Sequence, residues 1–268
     1  MRKIITILLG LAVIYGCSTV PLTGRKQLAL VSNAELIPMA DQEYRKVIAK
    51  GPLSNNAQQV EMIRRVGTRI QNAVEQYMAK ANLSQELAGF NWEFNLIDEP
   101  KTVNAWCMPG GKVAFYTGIL PICQDETGVA IVMGHEVAHA IANHGRERMS
   151  QQILAQLGLN SLGAVMGSNP TAGQQLLYQA VGMGSQLGML KFSRQDESEA
   201  DHLGLIFMAM AGYDPNQAPL FWERMAKQGS GDGTPEFLRT HPSDNKRIKA
   251  LRDAMPEAMR YYNRTAMN

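Results

Sequence analysis

Residues 128–141 read Gly128-Val129-Ala130-Ile131-Val132-Met133-Gly134-His135-Glu136-Val137-Ala138-His139-Ala140-Ile141, an apolar stretch interrupted by two histidines and a glutamate. The run lacks breakers and has helical length, so a helix is expected from about Asp125 to Asn143. Residues four apart on a helix share a face, so His135 and His139 can reach one metal ion together. Glu136 stands one residue round, beside the ion and free to bind its water. That arrangement suits a carboxylate base that activates a zinc-bound water. The competing reading is an amphipathic helix with two surface histidines. The apolar neighbours Val129, Ile131, Val132, Ala138 and Ile141 argue for a buried helix instead.

A catalytic zinc takes three protein ligands and keeps an open fourth position. The residue ten positions after the first histidine is Gly145, so the third ligand must come from elsewhere. Glu197-Ser198-Glu199-Ala200-Asp201 offers one, at the start of a helix expected from Ser193, with Asp196 three residues on as a capping partner, to about Gly212. Glu197 and Asp201 share a face, so one can bind the metal while the other orients a metal-bound histidine. Glu199 points roughly 160° away from Glu197 on an ideal helix, and is expected to face solvent or bond an arginine. Acidic residues in a first turn also simply complement the helix dipole. His144, five residues beyond His139, and His202, next to Asp201, are read as structural.

The rest of the chain frames these two helices. A turn-rich arm is followed by a helix from Ser32 to the Gly51-Pro52 break. A second helix is expected over Asn56–Ala79. Strands are expected at Asn91–Ile97, Val103–Trp106 and Lys112–Tyr116, the last two joined by a turn at Pro109-Gly110-Gly111. Residues 151–190 are rich in small and apolar residues, and read as a helical hairpin packed on the core or, alternatively, as a mobile or membrane-facing element. The fold class expected is α+β and zincin-like, mostly helical, with a small sheet beside the His-Glu-x-x-His helix.

With 268 residues and 45% hydrophobic content, the chain can build one substantial catalytic domain. Its 26 basic and 24 acidic residues form no long run of one sign, so no nucleic-acid partner is expected. Arg2 and Lys3, the apolar stretch Ile4–Ile14 and then Gly16-Cys17 have the form of a lipoprotein signal, too short for a membrane span. The alternatives are an ordinary secretory signal or an uncleaved anchor. The expected division is a signal peptide at 1–16, an arm and helix at 17–55, and a metalloprotease domain at 56–268. Cys17 is the expected lipidation site. Cys107 and Cys123 remain, as a disulfide or as two separate thiols, and the second is favoured.

Several motifs in order carry a resemblance: His-Glu-x-x-His followed by His144, Gly145 and Arg148; Phe192-Ser193-Arg194 leading into Glu-x-x-Ala-Asp; Asn104-Ala105-Trp106 with Pro109-Gly110-Gly111; Thr240-His241-Pro242-Ser243 with Arg247; and Pro21-Leu22-Thr23-Gly24-Arg25. The chain resembles the CAAX-prenyl-protease family of zinc metallopeptidases, which includes bacterial HtpX- and BepA-type and mitochondrial Oma-type enzymes. Cys107 and Met108 depart from its strand motif. The resemblance implies zinc held by His135, His139 and Glu197, with Asp201 supporting a ligand. It implies His241 near the metal, stabilising the oxyanion or occupying the fourth position as a latch, and Arg247 as its partner.

The function expected is zinc-dependent peptide-bond hydrolysis with Glu136 as base, in envelope protein quality control. Unfolded or misfolded envelope proteins would add as a strand along Asn104, Ala105 and Trp106. The expected location is the periplasmic side of a bacterial envelope, lipid-anchored, on the outer rather than the inner membrane. The rivals are a chaperone that kept the metal scaffold without turnover, and a zinc hydrolase acting on a non-peptide bond.

Overall fold

The computed structural model describes residues 17–159, 192–228, 234–242 and 245–266. Residues 1–16, expected to be a signal peptide, most of the apolar 151–190 segment and the glycine-rich run 229–233 lie outside the described residues.

The arm is more ordered than its turn-rich composition suggests. β1 (Cys17–Thr19) and β2 (Lys26–Leu28) pair antiparallel. The connecting loop closes on itself, the Arg25 carbonyl accepting from the Val20 amide at 2.8 Å, and Gly24 at φ +72° supplies its left-handed residue. Ser32 starts α1 (Asn33–Lys50) with a capping box to Glu35, and Asn56 caps α2 (Ala57–Lys80).

Three strands follow: β3 (Glu93–Ile97), β4 (Ala105–Met108) and β5 (Lys112–Tyr116). Their order is β3-β5-β4, with β3 parallel and β4 antiparallel to β5. The β4–β5 hairpin turns through Gly110 and Gly111, at φ +87° and +80°. β4 is therefore an edge strand. It starts two residues later than its apolar pattern implies, because Val103 bonds elsewhere: its carbonyl accepts from the Phe237 amide at 3.0 Å.

The short α3 (Leu120–Cys123) precedes α4 (Glu126–Ile141), which carries His-Glu-x-x-His and is buried from Gly128 to Ile141. Then come α5 (His144–Leu159), α6 (Arg194–Met210), α7 (Gln217–Gln228), α8 (Glu236–Thr240) and α9 (Asn245–Ala266). Ser193 and Asp196 form the expected capping box on α6. α2, α4, α6, α7 and α9 enclose the main core with one side of the sheet. A smaller cluster of Ala40, Tyr44, Ile97, Trp106, Met108 and Ala114 seals the other side under α1. This is the α+β, zincin-like architecture that the sequence leads one to expect. Cys107 and Cys123 are both free thiols. Among the described residues no helix is long and apolar enough to cross a membrane.

α4 and α6 make the most extensive contact between any two described elements. Their backbones meet at glycines. A Cβ on Gly134 would lie 2.8 Å from the Gly204 carbonyl oxygen, and one on Gly204 would lie 2.8 Å from the His135 nitrogen. Gly134 adjoins His135, and Gly204 lies seven residues, about two turns, after Glu197. The crossing thus fixes the distance between the two motif helices. Gly204→Ala should lower the thermal midpoint of the metal-free protein: overpacking costs about 1–3 kcal/mol, against about 1 kcal/mol of helix propensity gained. An unchanged or raised midpoint would show that the helices can separate freely.

Candidate metal centre

His135 and His139 project from α4 toward Glu197 on α6. Their Nε2 atoms stand 3.1 Å apart. Glu197 places Oε2 3.5 Å from His135 Nε2 and Oε1 3.5 Å from His139 Nε2. His241, just after α8, brings Nδ1 to 3.2 Å from His135 Nε2 and 2.8 Å from Glu197 Oε1. All four residues are buried.

This donor set fits a metal ion. Three imidazoles and one carboxylate converge there, each offering an atom within 4.8 Å of the others. Four ligands bound tetrahedrally at about 2.0–2.1 Å stand roughly 3.4 Å from one another, close to the spacings found here. Glu136 lies alongside, its Oε1 3.5 Å from His241 Nε2 and, although buried, without a hydrogen-bond partner. Burial raises the Glu136 carboxyl above its usual range, against the opposing pull of His241 and His135. Burial also drives His139 well below the usual histidine range, which favours the neutral form that a ligand needs. At His135, burial and Arg247 push downward, but Asp201 and Glu197 prevail and raise it to about 9.

Each histidine of α4 is held from behind. Asp201 Oδ1 lies 3.0 Å from His135 Nδ1, and Trp222 meets the ring edge-on. Arg247 grips Asp201 with two hydrogen bonds of 2.7 Å and places Nη1 3.0 Å from Glu197 Oε2. It also donates to the Pro242 carbonyl at 3.2 Å and lies flat on Trp222, its guanidinium carbon 3.3 Å from the ring centroid. Arg247 thus ties the His241 turn to the carboxylates behind the donor set.

His139 has a different support, which the sequence did not reveal. Its Nδ1 lies 2.8 Å from Nδ1 of His144, and Phe192 stacks on its ring. The five-residue spacing would send His144 off the ligand face of a continuous helix. However, α4 stops at Ile141 and Asn143 turns at φ +59°, so His144 opens a new helix and folds back. His144 Nε2 reaches Glu199 Oε2 at 3.0 Å. Glu199 is buried rather than solvent-facing. The arginine it bonds is Arg25, from the arm, at 2.7 Å, and it also accepts from Thr23. Burial would raise the Glu199 carboxyl, but the bonds from His144, Thr23 and Arg25 lower it to about 2. His202 is half-buried, 3.5 Å from Glu257, and lies outside the donor set. Asn104, Ala105 and Trp106 are buried on and just before β4, and Asn104 Nδ2 donates to Glu236 at 3.1 Å.

The chain is similar to proteins of known activity. The mitochondrial metalloendopeptidase OMA1 of Schizosaccharomyces pombe is 38% identical over 64% of this chain and 49% of its own length. The mitochondrial metalloendopeptidase OMA1 of Bos taurus is 30% identical over 90% of this chain and 46% of its own. The beta-barrel assembly-enhancing protease of Escherichia coli is 28% identical over 88% of this chain and 47% of its own. The chain spans about half the length of each of these three relatives.

These similarities correct the expected location. Relatives matched at 37–39% identity are mitochondrial proteins, not bacterial outer-membrane lipoproteins. The envelope reading rested on residues 1–17 alone, a short apolar stretch and one cysteine. Such a segment carries no packing or chemistry that identifies a compartment. The profile of peptidase family M48 matches residues 65–255, a span that takes in the whole donor set, and the chain belongs to that family.

Proposed function

We propose that this chain is a zinc-dependent endopeptidase of protein quality control, cleaving unfolded or misfolded proteins. The observation that supports this best is the convergence of His135, His139 and Glu197 beside an unpartnered, buried Glu136 oxygen. Two neutral nitrogens and one carboxylate suit zinc among the common divalent ions. Bound there, zinc would supply Lewis-acid polarisation of the scissile carbonyl and make water more acidic. Glu136 takes the proton from the attacking water and returns it to the leaving amine. Asp201, clamped by Arg247, fixes the ring of His135 and its proton-bearing nitrogen.

The edge strand β4 is the proposed substrate platform. Main-chain pairing along an edge binds extended peptide with little sequence preference, which suits unfolded substrates. In the described conformation this edge is partly taken. Phe237 donates its amide to Val103, and the Asn104 side chain takes the Ala105 amide at 2.9 Å. The same short segment carries His241 into the donor set. Of the two roles for His241, this geometry favours the latch: its Nδ1 occupies the fourth position, and the α8 segment covers the strand that substrate needs. Substrate pairing with β4 would displace both together, a shift that needs only a difference in affinity between the two states.

Glu136→Gln should leave zinc content and fold intact and reduce cleavage of an unfolded protein such as casein by ~10²–10⁴-fold. A zinc chelator should abolish wild-type cleavage. Cleavage that survives both would reject the endopeptidase assignment, and metal binding without any cleavage by the wild type would favour a chaperone role.

His241→Ala should raise basal cleavage. A fall of about 10²–10³-fold in turnover would instead assign His241 to the oxyanion, and wild-type kinetics would remove it from both roles.

A further inference from the structure

The N-terminal arm contributes a guanidinium to the interior of the molecule. Arg25 binds three carboxylates: Glu199 through Nε at 2.7 Å, and Glu147 and Asp196 through Nη2 at 2.8 and 3.2 Å. With His144, Asp196 and Glu199 have the composition of a second metal site, yet the guanidinium already supplies their cation. The cluster leads elsewhere. Fully buried His144 links Glu199 to His139, so an unbroken series of hydrogen bonds joins the arm to the donor set.

A metal on His139 Nε2 would set the protons along that series. His139 turns Nε2 toward His135 and Glu197, so a metal there needs the Nε2 lone pair, and the ring proton must sit on Nδ1. His139 Nδ1 then donates to His144 Nδ1, and His144 carries its own proton on Nε2 and donates to Glu199. Glu199, an acceptor at both oxygens, is fixed by Arg25 Nε on one and Thr23 Oγ1 on the other. Remove Arg25 or Thr23 and the carboxylate can rotate, His144 loses its orienting acceptor, and His139 is free to present its protonated nitrogen to the metal.

We propose that Arg25 and Thr23 are positioning residues for the metal ligand His139, acting across the fold through Glu199 and His144. The inference rests on the assignment of His139 as a ligand made above. It makes docking of the 17–28 hairpin and retention of the metal one linked equilibrium. Linkage is reciprocal, so zinc should also hold the hairpin in place. The loop has the shape that this coupling requires. Its turn around Gly24 sets Thr23 and Arg25 on one carboxylate, and Arg146 Nη2 pins the hairpin a second time by donating to Ser18 at 3.0 Å.

The test measures zinc affinity of the purified full-length protein by competition with a chromogenic chelator, beside the thermal midpoint of the metal-free protein. Loss of a partner that orients a ligand weakens metal binding about 10–100-fold. Arg25→Ala is expected in that range, Arg25→Lys nearer the wild type because it keeps one ion pair, and Thr23→Val between the wild type and Arg25→Ala. Zinc should also slow amide hydrogen exchange in 17–28 in the wild type and lose that effect in Arg25→Ala. If Arg25→Ala lowers the metal-free midpoint but binds zinc within twofold of the wild type, the arm is a structural strap and the inference is overturned. If Arg25→Ala does not fold, Arg25→Lys and Thr23→Val decide by the same comparison. Zinc binding by the wild type that survives His139→Ala would overturn the ligand assignment itself, and the inference with it.

Discussion

The metal centre depends on how closely α4 and α6 approach each other. Their backbones touch at Gly134 and Gly204, with a carbonyl and an amide nitrogen where side chains would otherwise stand. Glycine inside a helix costs about 1 kcal/mol relative to alanine. The crossing brings Glu197, two turns before Gly204, to 3.5 Å from the Nε2 atoms of both histidines on the other helix. A methyl at either position would meet backbone of the other helix at 2.8 Å, so the two helices would have to move apart. The Ser193–Asp196 capping box then fixes where α6 begins, and hence which residue of its first turn faces His135.

The approach concentrates charge in a dry interior. Glu136, Glu197 and Asp201 are buried with Arg247, three formal negative charges against one positive when the histidines are neutral, as ligands must be. A divalent cation brings that sum to zero. A buried ion pair is rarely a net source of stability, because desolvation offsets the attraction. What Arg247 contributes is geometry. Stacked on Trp222, it holds Asp201 with two hydrogen bonds and binds the carbonyl of Pro242. One side chain therefore orients His135 through Asp201 and places the turn that presents His241.

Much of this was legible in the sequence because its signals are local. The capping residues Ser32 and Ser193 and the Gly110-Gly111 turn each rest on a few neighbouring residues. The pairing of His-Glu-x-x-His with Glu-x-x-Ala-Asp rests on chemistry that needs a third ligand. What stayed hidden depends on distance along the chain or on a break in periodicity. Arg25 and Glu199 are 174 residues apart, and no helical or strand period relates them. The contact of His144 with the back of His139 was hidden because the rule of 3.6 residues per turn assumes a continuous helix, and Asn143 ends it. The start of β4 shifted for a similar reason: Val103 has strand character, but its carbonyl is taken by a helix more than a hundred residues later.

The two histidines of α4 are supported unequally, and the charge balance explains the difference. His135 rests directly on a carboxylate, Asp201, whose charge Arg247 offsets. A second carboxylate directly behind His139 would leave the inner group negative even with a divalent ion bound. His144 avoids this. Its ring stands between Glu199 and His139 and keeps that carboxylate one ring farther from the donor set. Glu199 is then offset by a cation of its own, Arg25, brought from the arm. The arrangement keeps both ligand rings in a single tautomer without raising the negative charge at the centre. That is a reason for the hairpin to fold back against α5 and send Arg25 across to α6: the arm supplies a positive charge beside Glu199 and Asp196.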